Sequence, residues 1–180
     1  GAYSAPPEIA RWQQRASIVG AVFTLLFAVG AILDRRQFFH SYLVAYLFWT
    51  GIALGSLAIL LLQHLTGGAW GLVIRRVLEA ATRTIPLMAF LFIPIILGAY
   101  QIYPWTHHET ITKTPALEEK ARLYLNLRFF SGRAALYFAV WVVLAYLLSK
   151  WSLDQDNTAD RRFAKNMRML SGPGLLLFVL

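Results

Sequence analysis

The chain contains no cysteine among its 180 residues. It therefore cannot form a disulfide, supply a thiolate ligand to zinc or an iron–sulfur cluster, or attach a c-type haem covalently. Charged residues are also scarce, at 14% of the sequence, while apolar residues make up 58%. An average soluble domain has about 25% charged residues. The composition therefore indicates a membrane protein.

Long segments of the chain carry no charge at all, and there are four of them: 16–33, 41–62, 84–106 and 134–149. A bilayer core of about 30 Å needs about 20 apolar residues in a helix that rises about 1.5 Å per residue. Such segments are helical because every backbone N–H and C=O must be paired inside lipid. We expect an all-α, polytopic transmembrane helix bundle, with spans at about 16–33, 41–62, 80–103 and 129–149.

Another apolar run begins near the end of the chain. Ser171 and Pro173 are typical of the first turn of a helix, which predicts the start of a fifth span at 172–180. Only seven residues follow Pro173, fewer than half of what a span needs. We therefore expect the sequence to be the N-terminal part of a longer chain.

The net charge of +8 comes from basic residues that lie between the apolar runs. This pattern is typical of membrane topology and of contact with anionic headgroups, not of nucleic-acid binding. Ten of the 17 Lys and Arg residues fall on the side shared by the N-terminus, segment 63–83 and loop 150–170. The excess predicts a cytoplasmic N-terminus. Loop 107–128 would then face outward, either as a docking surface for a partner or as a solvated loop.

The densest polar pattern lies just after the second span. The chain is expected to turn at Gly67 and Gly68, and a new helix to start near Trp70. Along this helix, polar residues recur at intervals of three and four and form one stripe: Arg75, Arg76, Glu79, Thr82 and Arg83.

Two interpretations of this stripe stay open. It can be an interfacial stripe that only fixes the tilt of the helix, with Arg side chains reaching the headgroups. It can also be a polar inlet for protons or for a quinone headgroup. The candidate residues for the inlet are His64, Arg76, Glu79 and Arg83.

Weaker signals lie elsewhere in the chain. Pro86 and Pro94 predict kinks in the third span that free backbone carbonyls. The acidic residues Asp154, Asp156 and Asp160 lack the Gly and the terminal Glu of a calcium loop, so we expect them to be solvated.

The histidines do not predict a haem site within this chain. His40 and His64 bracket the second span and are 24 residues apart, or about 36 Å along a helix. They cannot ligate one haem between them, and no other histidine lies within a span. We expect no metal site and no cofactor bound by this chain.

Residues 38–98 resemble the NrfD/PsrC-like membrane subunits of bacterial quinol oxidoreductases. The match is closest to the second quinone-type membrane component of alternative complex III, a quinol:cytochrome c (or other acceptor) oxidoreductase. The most specific part is LTGGAWG at 65–71, followed by the RR, E and R of the polar stripe. Three further pieces fit the same component: YPW at 103–105, the run YLNLRFFSGRAALYFAVWVVLAYLL at 124–148 and SGPGL at 171–175.

The resemblance implies a helical bundle with more spans than this chain holds, located in the bacterial cytoplasmic (inner) membrane. It implies that the bundle binds no cofactor of its own and lies beside a sister NrfD-like subunit that binds quinol. Haem c and iron–sulfur clusters would belong to periplasmic partner subunits. The chain would support quinone access, complex assembly and proton translocation in the electron transport chain.

A quinol site needs a buried carboxylate or histidine to accept protons. No acidic residue lies within the four uncharged segments, and only Glu79 and His64 come near. Proton conduction or structural support is therefore favoured over direct quinol oxidation, and the chain is not expected to be catalytic alone. Two other classes of protein stay open: half of a transporter or channel, and a purely structural membrane anchor.

Overall fold

The computed structural model describes residues 7–67, 70–71, 73–103, 106, 126–158 and 161–179. Within these ranges the chain is 91% helical and contains no strand, which confirms the all-α prediction. The described residues include four segments that are long and apolar enough to cross a membrane: Arg11–Leu33, Arg35–Thr66, Arg75–Leu97 and Leu127–Asp156. Each of them overlaps one of the four predicted spans.

Eight α-helices can be followed along the described residues. They are α1 (Pro7–Leu33), α2 (Arg35–Thr66), α3 (Arg75–Thr82), α4 (Ile85–Leu91), α5 (Ile93–Leu97), α6 (Ala99–Ile102), α7 (Leu127–Thr158) and α8 (Arg161–Val179).

Helix α2 lies at the centre of the bundle and packs against α1, α3, α4, α6, α7 and α8. Its residues Leu57, Leu60 and Leu61 are fully buried. They lie at the three- and four-residue spacing that places side chains on one helical face. Other helices complete this core with the fully buried Ile85, Ile95 and Leu148. By contrast, no residue in the most apolar window of α1 is buried.

The third span is divided into α3, α4, α5 and α6. Its two prolines predict the breaks before α4 and α5, whereas the break before α6 lies at Gly98. Pro86 and Pro94 each lie in the first turn of a new helix, where the missing N–H of proline costs least. At the breaks, hydrogen bonds tighten to three-residue spacing: Phe92 N–H donates to Ala89 O, and Ile95 N–H donates to Phe92 O. The carbonyls of Met88 and Leu91 consequently lose their usual partners four residues ahead.

Two tyrosines of α2 satisfy these freed carbonyls. The hydroxyl of Tyr46 donates to Met88 O at 3.2 Å, and the hydroxyl of Tyr42 donates to Leu91 O at 2.5 Å. Unpaired backbone carbonyls are costly inside a membrane. The tyrosines therefore make the broken third span compatible with lipid and fix it against α2.

The last helix begins earlier than the sequence predicts. We expected a helix start at Ser171 and Pro173, and this is wrong because both residues lie inside α8, which begins at Arg161. Its Gly174 lies in close contact with α2 and α7. A Cβ at this position would come within 3.1 Å of Leu61 Cδ2 and 3.2 Å of Leu144 Cδ2.

Candidate functional site

Three segments of the chain meet at one end of the bundle: the last turn of α2, the first turns of α3 and the last turns of α7. The predicted turn after α2 is present, since Gly67 has a φ of 71° and its N–H donates to Gln63 O. That φ is one that glycine adopts more readily than other residues. The helix predicted to start near Trp70 begins later, at Arg75.

Glu79 lies at the centre of this end and is only 2% exposed. Its carboxylate is held by the two preceding arginines of α3. Arg75 Nε donates to Oε1 at 3.0 Å, and Arg76 Nη1 donates to Oε2 at 2.6 Å. These pairs follow from their spacing of four and three residues, which places the side chains on one helical face.

Helix α7 supplies the other half of the site. The hydroxyl of the fully buried Ser152 donates to Glu79 Oε1 and accepts a hydrogen bond from Arg75 Nη2. Arg76 Nη2 forms an ion pair with Asp156 Oδ2. We call Arg75, Arg76, Glu79, Ser152 and Asp156 the Glu79 cluster.

The α7 half of the cluster was missed by the sequence analysis. Asp156 was expected to be solvated, and its side chain is indeed 47% exposed, but its ion pair with Arg76 was not foreseen. Asp160 lies outside the described residues. A signal was present: Ser152, Gln155 and Asp156 recur at three and four residues, which predicts one polar face. Gln155 Oε1 does accept from Arg75 Nη2, at 3.5 Å.

The cluster has an exposed edge and a buried interior. The side chain of Arg76 is 49% exposed and that of Asp156 is 47% exposed, whereas those of Glu79 and Arg75 are 3% and 13% exposed. A buried ion pair of this kind is expensive to break, because removing one partner leaves a buried charge and costs about 3–5 kcal/mol.

His64 lies close to the cluster without binding to it. It sits in the last turn of α2, within electrostatic range of both Arg75 and Glu79. Its Nε2 atom is buried and has no hydrogen-bond partner among the described residues. The structure thus brings His64, Arg76 and Glu79 into one region.

Arg83 does not join this region through its side chain. Its backbone N–H donates to Glu79 O at 3.2 Å, but its side chain is exposed, and Arg83 is one of the residues that line a groove between the third span and α7. We call this the Arg83 groove. It has a volume of about 480 Å³, and its lining residues are Thr82, Arg83, Pro86, Val142, Ala145, Tyr146, Ser149, Lys150 and Leu153.

Metal ligands are not clustered in the part of the chain that the structure describes. No group of three or more His, Cys, Asp or Glu side chains is placed there to hold a metal ion. The predicted docking loop at 107–128 falls almost entirely outside the described residues, so the structure does not test it.

A comparison of this sequence with protein-family models and with curated proteins found no match. The fold and the site define the class at a coarser level: within the described residues, a helical bundle with four segments long and apolar enough to cross a membrane. They also locate a buried, ion-paired carboxylate at one end of the bundle.

Proposed function

We propose that the chain is an integral membrane subunit of a bacterial quinol:electron-acceptor oxidoreductase of the alternative complex III type. In this proposal it lies in the cytoplasmic (inner) membrane with its N-terminus in the cytoplasm. It supports complex assembly, quinone access and proton movement in electron transport, beside a sister NrfD-like subunit. Haem c and iron–sulfur clusters belong to periplasmic partners.

The observation that carries the proposal is the burial of Glu79 next to a half-exposed pair of charges. Arg76 contacts the Glu79 carboxylate with one nitrogen and that of Asp156 with another. Polar groups therefore run without a break from the exposed edge of the cluster to its interior. Titratable groups near a membrane span are typical of proton paths.

Each residue has a specific role in this path. Asp156 and Arg76 form the entry at the aqueous edge. Ser152 holds the Glu79 carboxylate in place and offers a hydroxyl that both donates and accepts. His64, which lies close to the cluster, has an Nε2 without a partner among the described residues, and this atom is a group that can accept or release a proton. Arg83 is left out of the path because its guanidinium lies in the groove.

A structural anchor for extramembrane electron carriers is the second candidate. The observation that favours it is that the same bonds tie α3 to α7, through Ser152 and Asp156. An anchor needs these bonds only for stability, whereas a proton path also needs the charge of Glu79.

Gentle purification from the native membrane tests the assignment to a complex. The proposal expects a multihaem c-type cytochrome, an iron–sulfur subunit and a sister membrane subunit to co-purify with the chain in fixed ratio. Haem spectra and mass spectrometry of the purified sample provide the measurement. A chain that purifies alone under conditions that keep other respiratory complexes intact would contradict the proposal and favour a transporter.

A further inference from the structure

The two cations of the Arg83 groove lie at the same membrane boundary. Arg83 comes immediately before the uncharged segment 84–106, and Lys150 comes immediately after the uncharged segment 134–149. Both side chains line the one groove. Because the cations border the uncharged parts of two adjacent spans, they lie where hydrocarbon gives way to headgroups.

Neither cation has an acidic partner in the part of the chain that the structure describes. Among the described residues no carboxylate lies within 4.0 Å of Arg83 or Lys150, and no acidic residue lines the groove. Their situation differs from that of Arg75 and Arg76, which are paired within the Glu79 cluster. The groove therefore presents two uncompensated positive charges.

A buried polar atom in the groove wall also lacks a partner. Ser149 is 7% exposed, and its Oγ has no hydrogen bond to any described residue. A buried hydroxyl without a partner is costly, since its desolvation is not offset. Ser149 is one of the residues that line the groove. Its Oγ is closed off from the groove in this structure, and it reaches a ligand there when the side chain rotates.

The rest of the groove is apolar. Below the two cations its walls are formed by Pro86, Val142, Ala145 and Tyr146. A ligand that matches this surface has an anionic head that accepts hydrogen bonds and an apolar tail that lies along the spans. Basic pockets between spans are typical sites for anionic lipid headgroups.

We propose that the Arg83 groove is a binding site for an anionic phospholipid. Arg83 and Lys150 bind the phosphate of the headgroup, and an acyl chain lies along Val142 and Tyr146. The Ser149 side chain rotates toward the groove so that its hydroxyl donates to one of the phosphate oxygens. This proposal does not depend on the function of the Glu79 cluster. A free phosphate would leave the apolar walls bare, and a neutral quinone would leave the two charges uncompensated.

Native mass spectrometry of the purified full-length protein, with any partners that remain bound, tests the site. The probes are phosphatidylglycerol and phosphatidylcholine with identical acyl chains, added together in detergent. We expect preferential retention of phosphatidylglycerol. In Arg83→Gln/Lys150→Gln we expect its affinity to fall by about tenfold or more, since each cation near a membrane surface contributes about 1 kcal/mol.

Two further variants separate the site from general charge effects. Lys165→Gln/Arg168→Gln removes the same charge from α8 outside the groove and should retain the lipid. Arg83→Lys/Lys150→Arg keeps both charges and should also retain the lipid. If it does, loss of binding in the charge-removed variant is not due to misfolding. The helical circular dichroism of each variant is measured alongside.

Three outcomes would overturn the proposal. They are equal retention of the two lipids, an equal loss in the α8 control, and full displacement of phosphatidylglycerol by millimolar inorganic phosphate. Saturable retention of a long-chain quinone that competes with the lipid and is unchanged in the charge-removed variant would assign the groove to quinone instead.

Discussion

The hydroxyl of Ser152 donates a hydrogen bond to Glu79, a residue 73 positions earlier in the chain. This bond joins two of the candidate membrane spans at a point where both side chains are buried. It combines a charged acceptor with a low-dielectric surrounding, which makes a hydrogen bond strong when formed and costly when broken. The stability of the bundle and the behaviour of its carboxylate are therefore coupled at Ser152.

Replacing Ser152 by alanine should destabilise the protein. The change removes a donor to a buried carboxylate, and we expect the free energy of unfolding to fall by about 1–3 kcal/mol. The measurement is an unfolding titration with sodium dodecyl sulfate, followed by circular dichroism.

Ser149→Ala is the matched control, because Ser149 lies one turn earlier on the same helix and its hydroxyl binds no described residue. In lipid-free detergent this variant should be at least as stable as the unmodified protein, because it removes a buried hydroxyl that has no partner among the described residues. Equal stability of all three proteins would mean that the bond between α3 and α7 contributes nothing.

Replacing Glu79 by glutamine separates a proton path from an anchor. Glutamine keeps the shape of the side chain and removes its charge, so Arg75 and Arg76 lose their common carboxylate. Because Arg75 is then left buried without its carboxylate, we expect a loss of stability of up to about 3–5 kcal/mol. In the complex that assembles we expect quinol turnover or proton release to fall. Turnover and pH change are measured on the purified complex in liposomes.

Asp154→Asn serves as the control, since it removes a negative charge near the end of α7 outside the Glu79 cluster. It should match the unmodified complex in both assays. If Glu79→Gln assembles and also matches the unmodified complex, the cluster is an interfacial anchor and the proton path is wrong.

Removing the hydroxyl of Tyr42 or Tyr46 should loosen the third span. Each Tyr→Phe change leaves a carbonyl of that span without its donor. Hydrogen bonds between membrane helices contribute about 0.6 kcal/mol on average and up to about 1.7 kcal/mol. We expect losses of stability in this range, measured by the same detergent titration.

The hydroxyl of Tyr146 makes no hydrogen bond to a described residue, and its side chain is exposed. Tyr146→Phe should therefore leave stability unchanged. A loss at Tyr146 as large as that at Tyr42 or Tyr46 would show that the carbonyl partners are not the cause.

The proposed orientation can be tested by labelling, because the chain has no cysteine of its own. Single cysteines at Ser4 and Thr158 should resist a membrane-impermeant thiol reagent in intact cells, and one at Thr114 should react. All three should react after the cells are permeabilised. Ser4 and Thr114 lie outside the described residues, so their positions rest on the charge pattern of the sequence alone. Reversed labelling would place the Glu79 cluster on the periplasmic side.

Structural features that are determined by residues close together in the sequence could be predicted from the sequence alone. Four spans follow from the length of uncharged segments, and two of the three breaks in the third span follow from Pro86 and Pro94. The α3 half of the Glu79 cluster follows from helical spacing alone. For these features the physical cause lies within a few turns of helix, so a single sequence contains the information.

Features that depend on contacts between distant segments were missed. Nothing near Asp156 in the sequence indicates that Arg76 lies beside it, and the same holds for Ser152 and Glu79. The hydrogen bonds of Tyr42 and Tyr46 to Leu91 and Met88 could not be predicted, because they depend on how α2 is rotated relative to the third span. Pro173 was interpreted as a helix start, whereas in the structure it lies inside α8, which packs against α2 and α7.

The two guanidiniums and the two carboxylates of the Glu79 cluster balance one another in charge. A balanced group near a membrane surface has no net interaction with the transmembrane voltage. Adding one proton makes the group a cation, and moving a unit charge across the full membrane changes its energy by about 2.3 kcal/mol per 100 mV. Any step that protonates the cluster and passes that charge inward therefore depends on voltage, whereas the resting cluster carries no net charge on which the voltage can act.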